Sequence, residues 1–428
     1  MIVIHRSVSY RRADRQHIDE KRHAPAGDGV RAAGTPGTAD VTLAPMPSID
    51  RAATPWRAAR RTAAEAAAAL PTEDVPLHRA VGRVLAAAVR ARADLPGSDT
   101  AAMDGYAVAG AGPWRVLGRV LAGGPAWPHE LGAGQAVEIM TGAVVPGGTV
   151  AVLPYETADL TAAAAPARTH IRRAGEDARA GAELAGPGRL ITPAVAGLLA
   201  QGGADTVPVH RRPRVALVVT GDEVVGAGVP GAGQVRDVFG PMVSALVAAA
   251  GATPVERMLL GDDPGLLADR LTGPDADVVV VTGSSSAGAA DHLHRVLEKL
   301  GARRLVDRVA CRPGGPQLLA VLPDGRWVAG LPGNPFAGLV AAVTVLEPLL
   351  YALSGRPVPV APRLPVRGDV VVAAPVTRLV PVRLAGDHAV VVPGSRPASL
   401  AGAAAGDALA VLEDGWADGA PADLIPLR

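Results

Sequence analysis

Residues 214–219 read RVALVV and break into TGDE, and residues 255–260 read VERMLL and break into GDDP. Residues 277–281 read DVVVV and break into TGSSSAGAAD, and residues 326–330 read RWVAG and break into LPGNP. Continuous β-branched and aliphatic runs of this length suit strands buried on both faces. The amphipathic stretches between them, PMVSALVAAAG (241–251), GLLADRL (265–271) and HLHRVLEKL (292–300), suit covering helices. The pattern predicts a doubly wound α/β domain over residues 211–356. Ligands of such sheets bind outside the carboxyl ends of the strands, which is where these acids and glycines fall.

Outward from this block the chain changes character. Residues 1–50 mix charges, glycines and prolines without apolar periodicity and read as a disordered N-terminal extension, with Met46 as an alternative start. WRAARRTAAEAAAAL (56–70) has a helical pattern, and VPLHRAVGRVLAAAV (75–89) reads as a short strand followed by a helix. Residues 96–159 break into short alternating pieces, YAVAG, WRVLGRV, QAVEIM and TVAVLPYE, which read as a β-rich unit. A helix-like stretch, TPAVAGLLAQGG (192–203), leads into the α/β block. Beyond the Pro-rich PVPVAPRLPV, residues 357–428 hold GDVVVAA, TRLVPVRL, AVVVP, ALAVLED and ADLIPLR, short strands that suit a small barrel or sandwich.

Composition narrows the chemistry. Lys and Arg number 42 against 41 Asp and Glu, so no overall field draws nucleic acid or an anionic membrane. A single cysteine, Cys311, excludes intramolecular disulfides and a cysteine-based structural zinc site, and favours a reducing compartment. No stretch reads as a spanning helix or a signal peptide, and a cytoplasmic protein is expected. His292 and His294 lie two apart on a predicted helix and do not face one ligand; HExxH and a nucleophile elbow are both missing.

Seven segments then occur in an order that carries a resemblance: PGSDTAAMDGYAV (96–108), IMTGAVVPGGTVAVLPYE (139–156), AGEDARAGAEL (174–184), VVTGDEVV, VVVTGSSSAGAAD, ACRPGGP (310–316) and GLPGNPFAGLVA (330–341). Each is weak alone. Together they resemble the molybdopterin molybdenumtransferases, the MoeA and gephyrin E-domain family, from Thr54 to the C-terminus. The resemblance implies insertion of molybdate into adenylylated molybdopterin with divalent-metal-assisted release of AMP, a late step of molybdenum cofactor biosynthesis. It implies an elongated first domain (51–95 and 160–210) interrupted by the β-rich unit, then the α/β domain and a C-terminal β-barrel. It also implies a homodimer whose active site lies between subunits, with the upstream adenylyltransferase as a further candidate partner. Two other readings stay open: a pterin-binding or scaffold dimer without turnover, and a molybdopterin adenylyltransferase.

Carboxylates at neighbouring strand ends agree with that chemistry, because cleavage of a phosphoanhydride needs a hard cation held by oxygen ligands. Asp222, Glu223, Asp262 and Asp291 are the candidate ligands for Mg²⁺, with Zn²⁺ the alternative. For Asp262 and Asp263 a helix cap before Pro264 is the competing reading, and Asp291 could equally cap the helix that follows it. The resemblance carries over catalytic roles to Asp104, Thr141, Glu223, Asp262 and Asp291. To substrate binding it carries over Gly283, Ser284, Ser286 and Gly288 of the small-residue loop, whose backbone N–H groups can approach phosphate. Arg308 and Arg312 fall where the family usually has lysine, Pro332, Gly333, Asn334 and Pro335 form the turn placed against substrate, and Ser395 matches a serine thought to help hold molybdate.

Three positions depart from the family. Ser284 replaces a glycine of the phosphate loop, Gly315 replaces a lysine and so deletes a positive charge, and Phe239 stands where a polar asparagine is usual. The substitutions gather in the α/β pocket, while MDGYA and LPGNP are intact.

Overall fold

The sheet that the four apolar runs predict is present, with two further strands on one side. In the computed structural model, which describes residues 53–283 and 292–427, it has six strands. They run in the order Thr253–Leu260, Arg214–Thr220, Val278–Thr282, Trp327–Leu331, Leu318–Val321, Arg303–Val306. The first four are parallel, and the last two add antiparallel. The chain leaves Arg214–Thr220 for one side and returns to Val278–Thr282 on the other, so a crevice opens at the carboxyl ends of these two neighbours.

Burial along the strands explains the two layers of helix. Val215, Leu217 and Val219 share a core with Val243 and Val247 of the helix Phe239–Ala249. Val218, Val279 and Val281 point the other way, onto Leu267 and Leu271 of the helix Pro264–Thr272 and Leu293, Val296 and Leu297 of His292–Lys299. One strand departs from expectation: Thr253–Leu260 has no fully buried residue and forms the sheet edge. Its sequence, TPVERMLL, carries the proline and charges that edge strands tolerate.

Helix Pro335–Leu353 is apolar and long enough to cross a membrane by length and composition, but its most apolar stretch is 89% buried in the core. Its middle, Ala342–Leu346, widens into a π-type turn. Helix Trp56–Glu65, shorter than the reading over 56–70, packs on it through Trp56, Ala59 and Ala63. The Trp56 indole donates to Thr344 Oγ1 at 2.9 Å, and Arg60 donates to the Val343 carbonyl inside the widened turn.

The stretch 75–89 does not form the helix read there. After the strand Thr72–Pro76 and one 3₁₀ turn, Leu77–Arg79, the chain extends and bridges Val84 to Leu190 and Leu85 to Val209. Alanine-rich apolar spacing there reflects burial of an irregular segment, not helical period. The β-rich unit forms a four-stranded sheet ordered Arg115–Val120, Gln135–Ile139, Gly105–Ala109, Thr149–Pro154.

In the tail, Thr377–Ala385, His388–Val391, Arg363–Arg367, Pro421–Pro426 and Ala408–Leu412 pair in a ring that closes back on Thr377–Ala385, a five-stranded barrel. GDVVVAA is not one of its strands; Val371 is 79% exposed, and Arg363–Arg367 supplies the strand from within the Pro-rich boundary. The strand Val309–Arg312 leaves the α/β sheet to pair in parallel with Thr54–Pro55 on one side and Thr377–Arg378 on the other. The reading of residues 1–50 lies outside the described residues.

Candidate active site

A cavity of about 1240 Å³ opens where the carboxyl ends of the parallel strands meet the Val309–Arg312 strand and the barrel. Its floor is Thr220, Thr282 and Gly283. Gly283 has φ +94°, and a Cβ there would lie 2.6 Å from the Thr220 carbonyl, so only glycine lets the two strand ends come together. The turn Pro332–Pro335 forms another wall, with Gly333 close against Gly283. Asn334, which lines the cavity, is the N-cap of the following helix, yet its side chain makes no capping bond. The first N–H groups of that helix, Phe336 and Ala337, donate to the Pro397 carbonyl at 2.9 and 3.3 Å. That contact holds the barrel segment bearing Ser395 against the cavity. Ser395 Oγ donates to the Val392 carbonyl at 3.2 Å and keeps its acceptor lone pairs.

Charge is distributed unevenly. Arg308 and Arg312, at the two ends of the added strand, both line the cavity, and so does Arg378 of the barrel. Arg312 and Arg378 are register partners on neighbouring strands. Among the described residues none of the three has a carboxylate partner, and Arg378 Nε is buried without a hydrogen bond. Arg308 also holds φ +150°, a strained backbone for a residue with a side chain. Guanidinium groups free of carboxylate partners can bind oxyanions through paired N–H donors. Arg378 was not among the sequence candidates; its strand was legible, but its place beside Arg312 depends on a pairing between distant parts of the chain.

The carboxylates separate into distinct roles. Glu223 lines the cavity and is exposed. Asp222 does not line it; its Oδ1 accepts from the Asp262 backbone N–H at 3.2 Å and ties two strand ends together. Asp263 caps the helix Pro264–Thr272, accepting from Gly265 and Leu266 N–H at 2.7 and 3.0 Å, with Pro264 in the first turn. Asp262 is not at the cavity either. Among the described residues no group of three or more His, Cys, Asp or Glu side chains is placed to hold a metal ion. Ser284, Ser286, Gly288 and Asp291 lie outside the described residues.

Asp237 also reaches the cavity, but its fully buried carboxylate is committed to Arg257 and to the Phe239 and Gly240 N–H groups at 2.8 and 3.0 Å. Phe239, set by that cap, presents an apolar wall where the resemblance implies a polar group, its ring packed against Gly338. Cys311 is buried in the strand between the two arginines, and burial pushes its thiol up to about 12. It is held as a neutral packing group and not as a nucleophile.

Asp104 and Thr141 pair with each other on the β-rich unit. Asp104 Oδ1 accepts from Thr141 N–H at 2.6 Å and from Thr141 Oγ1 at 2.7 Å, and these bonds hold its carboxyl below the usual range. Neither residue lines the cavity. The structure therefore brings together Glu223, Gly283, Arg308, Arg312, the 332–335 turn and Ser395, and pairs Asp104 with Thr141 elsewhere.

Comparison with known proteins places this architecture in a class. Residues 54–203 match the MoeA N-terminal region (domain I and II), and residues 216–352 match the family described as "Probable molybdopterin binding domain". A MoeA protein of molybdopterin biosynthesis from Pyrococcus horikosii superposes with a TM-score of 0.72 at 26% identity, covering 88% of this chain and 99% of that one. Molybdopterin molybdenumtransferase 2 of Mycobacterium tuberculosis is 36% identical over 328 residues, 71% of this chain and 80% of its own. The molybdopterin molybdenumtransferase of Synechococcus elongatus is 35% identical over 305 residues, 66% of this chain and 76% of its own. The chain belongs to the molybdopterin molybdenumtransferase family.

Proposed function

We propose that this chain is a transferase of molybdenum cofactor biosynthesis that inserts molybdate into adenylylated molybdopterin and releases AMP. The observation that carries the reading is that Arg308, Arg312 and Arg378 line one cavity without carboxylate partners among the described residues; Arg236 lines it too, and donates to the Val225 carbonyl at 3.1 Å. Molybdate and phosphate are tetrahedral oxyanions, and guanidinium groups bind them through paired N–H donors. The neighbouring relatives carry the transferase name, and neither the scaffold nor the adenylyltransferase reading is favoured by them.

The donors at the cavity suit a hard divalent cation better than zinc. Glu223 offers carboxylate oxygen, no histidine among the described residues lines the cavity, and burial keeps Cys311 a thiol. Mg²⁺ commonly binds through one or two carboxylates plus substrate phosphates and water. In our reading Glu223 holds it, and the cation supplies charge neutralisation at the phosphate being released. The arginines bind and orient the oxyanions, Gly283 lets phosphate approach the backbone, and the Asn334 amide and Ser395 hydroxyl fix the substrate's remaining polar groups.

A second copy of the chain completes the site. Asp104 and Thr141 stand on a surface that exposes Met103, Val144 and Tyr155, each 37–40% accessible, which suits a contact face. The reading is of a cytoplasmic homodimer in which this pair reaches the partner's cavity.

The test is AMP release from adenylylated molybdopterin in the presence of molybdate and Mg²⁺. Glu223→Gln should lower the rate on the order of 10²-fold or more without loss of folding. A wild-type rate for this variant would remove Glu223 from the site, and binding of the pterin without any AMP release by the native protein would favour the scaffold reading.

A further inference from the structure

We infer that Gln317 is a positioning residue for oxyanion binding: one buried amide that fixes the direction in which Arg312 enters the cavity. The inference rests on the reading of the cavity as an oxyanion site. Gln317 is 1% exposed and lies behind the cavity wall formed by residues 308–316. Its Nε2 donates to the Gly314 carbonyl at 2.8 Å and to Cys311 Sγ at 3.4 Å. Those two atoms bracket Arg312 in the chain, one residue before it and two after. The bracket is reinforced by the Cys311 thiol donating to the Pro313 carbonyl at 3.4 Å, and by Val309 and Gln317 N–H donating to the Gly315 carbonyl at 2.9 and 3.0 Å.

The amide is retained at a cost. Gln317 Oε1 is buried with no hydrogen-bond partner, so an apolar residue would relieve one unsatisfied atom. What glutamine adds is a donor for the carbonyl that the turn presents inward. Arg312 is exposed, long, and without an ion-pair partner among the described residues, so its aim is set by its backbone and by the anion it meets. Its register neighbour Arg378 carries the same charge, and if the turn loosened, the two guanidinium groups would move apart and cease to share one anion.

Replacing Gln317 by methionine exchanges one unsatisfied acceptor, its own Oε1, for another, the Gly314 carbonyl, so the fold should be little changed while Arg312 loses its bracket. The experiment is equilibrium binding of molybdate alone to the full-length protein, with thermal midpoints recorded in parallel. Wild type, Arg312→Ala, Gln317→Met and the double variant are compared. Each single substitution should weaken molybdate by about tenfold, the worth of one oriented charge-assisted bond. The double variant should bind no more weakly than Arg312→Ala alone, because Gln317 acts through Arg312. Gln317→Glu, which keeps the shape and removes the donor, should match or exceed the methionine effect.

Additive losses in the double variant, or unchanged affinity in either folded Gln317 variant, overturn the inference. Failure of both Gln317 variants to fold overturns it too, since the residue then serves the core and not the site. Equal affinity of wild type and Arg312→Ala would instead sink the oxyanion reading of the cavity.

Discussion

At the scale of single residues, the cavity has a guanidinium that the motifs did not mark. Gly315 stands where the resemblance implies a lysine, and Arg378 brings a guanidinium to the same cavity from the barrel. A lysine at 315 would also meet resistance, because a Cβ there lies 3.3 Å from the Val309 carbonyl and 3.4 Å from that of Cys311. Gly315→Lys is therefore expected to destabilise the fold by about 1–3 kcal/mol, as overpacking does, and to leave molybdate affinity unimproved. Arg378→Met should weaken molybdate by about tenfold. Unfolding curves and molybdate titrations check both; tighter binding by Gly315→Lys would show that the charge is missing after all. Arg312 and Asn334 adjoin the glycines and prolines of PGGP and LPGNP, Glu223 closes the TGDE break after a strand, and Arg308 is singled out only by its match to the family order. Arg378 stood in a plain strand with nothing to single it out.

At the scale of elements, the apolar runs located the strands of the crevice because two-sided burial leaves an unbroken aliphatic signature. Val278–Thr282 and Trp327–Leu331 are buried at every position. The same reasoning overreached at Thr253–Leu260, where VERMLL looks like a central strand and lies at the edge, and it passed over Arg303–Val306 and Leu318–Val321, four residues each. Short antiparallel strands carry too little pattern to separate from loops. The stretch 75–89 misled in the opposite sense, because alanine spacing mimics a helix wherever a chain is buried irregularly.

The acids at strand ends illustrate how capping and catalysis compete for one residue type. Asp263→Ala should cost about 1 kcal/mol of stability through the lost cap, while AMP release continues at the native rate. Denaturant unfolding and turnover together decide it; a stable but inactive Asp263→Ala protein would move this carboxylate from the helix to the chemistry.

At the scale of the whole molecule, the separation of Asp104 and Thr141 from the cavity has a consequence for assembly. Under the reading in which a second copy completes the site, Asp104→Ala and Glu223→Ala each inactivate, and mixing them creates heterodimers with one intact site and one doubly damaged site. Random exchange gives about half heterodimers, so activity should return to about a quarter of wild type. Restored AMP release after verified subunit exchange checks this; no recovery would place the completed site within one chain.

The strand Val309–Arg312 joins residues that are far apart along the chain: its neighbours are Thr54–Pro55, some 255 positions earlier, and Thr377–Arg378 beyond it. Two of the arginines stand on or beside this strand and the third on its later neighbour. During synthesis the sheet strands and their helices can pair as they emerge, but the cavity is not complete until Arg378 has left the ribosome. A nascent or truncated chain therefore presents the crevice of the sheet without the barrel wall of the cavity. Under the oxyanion reading of the cavity, an unfinished copy would not withhold molybdate from finished ones.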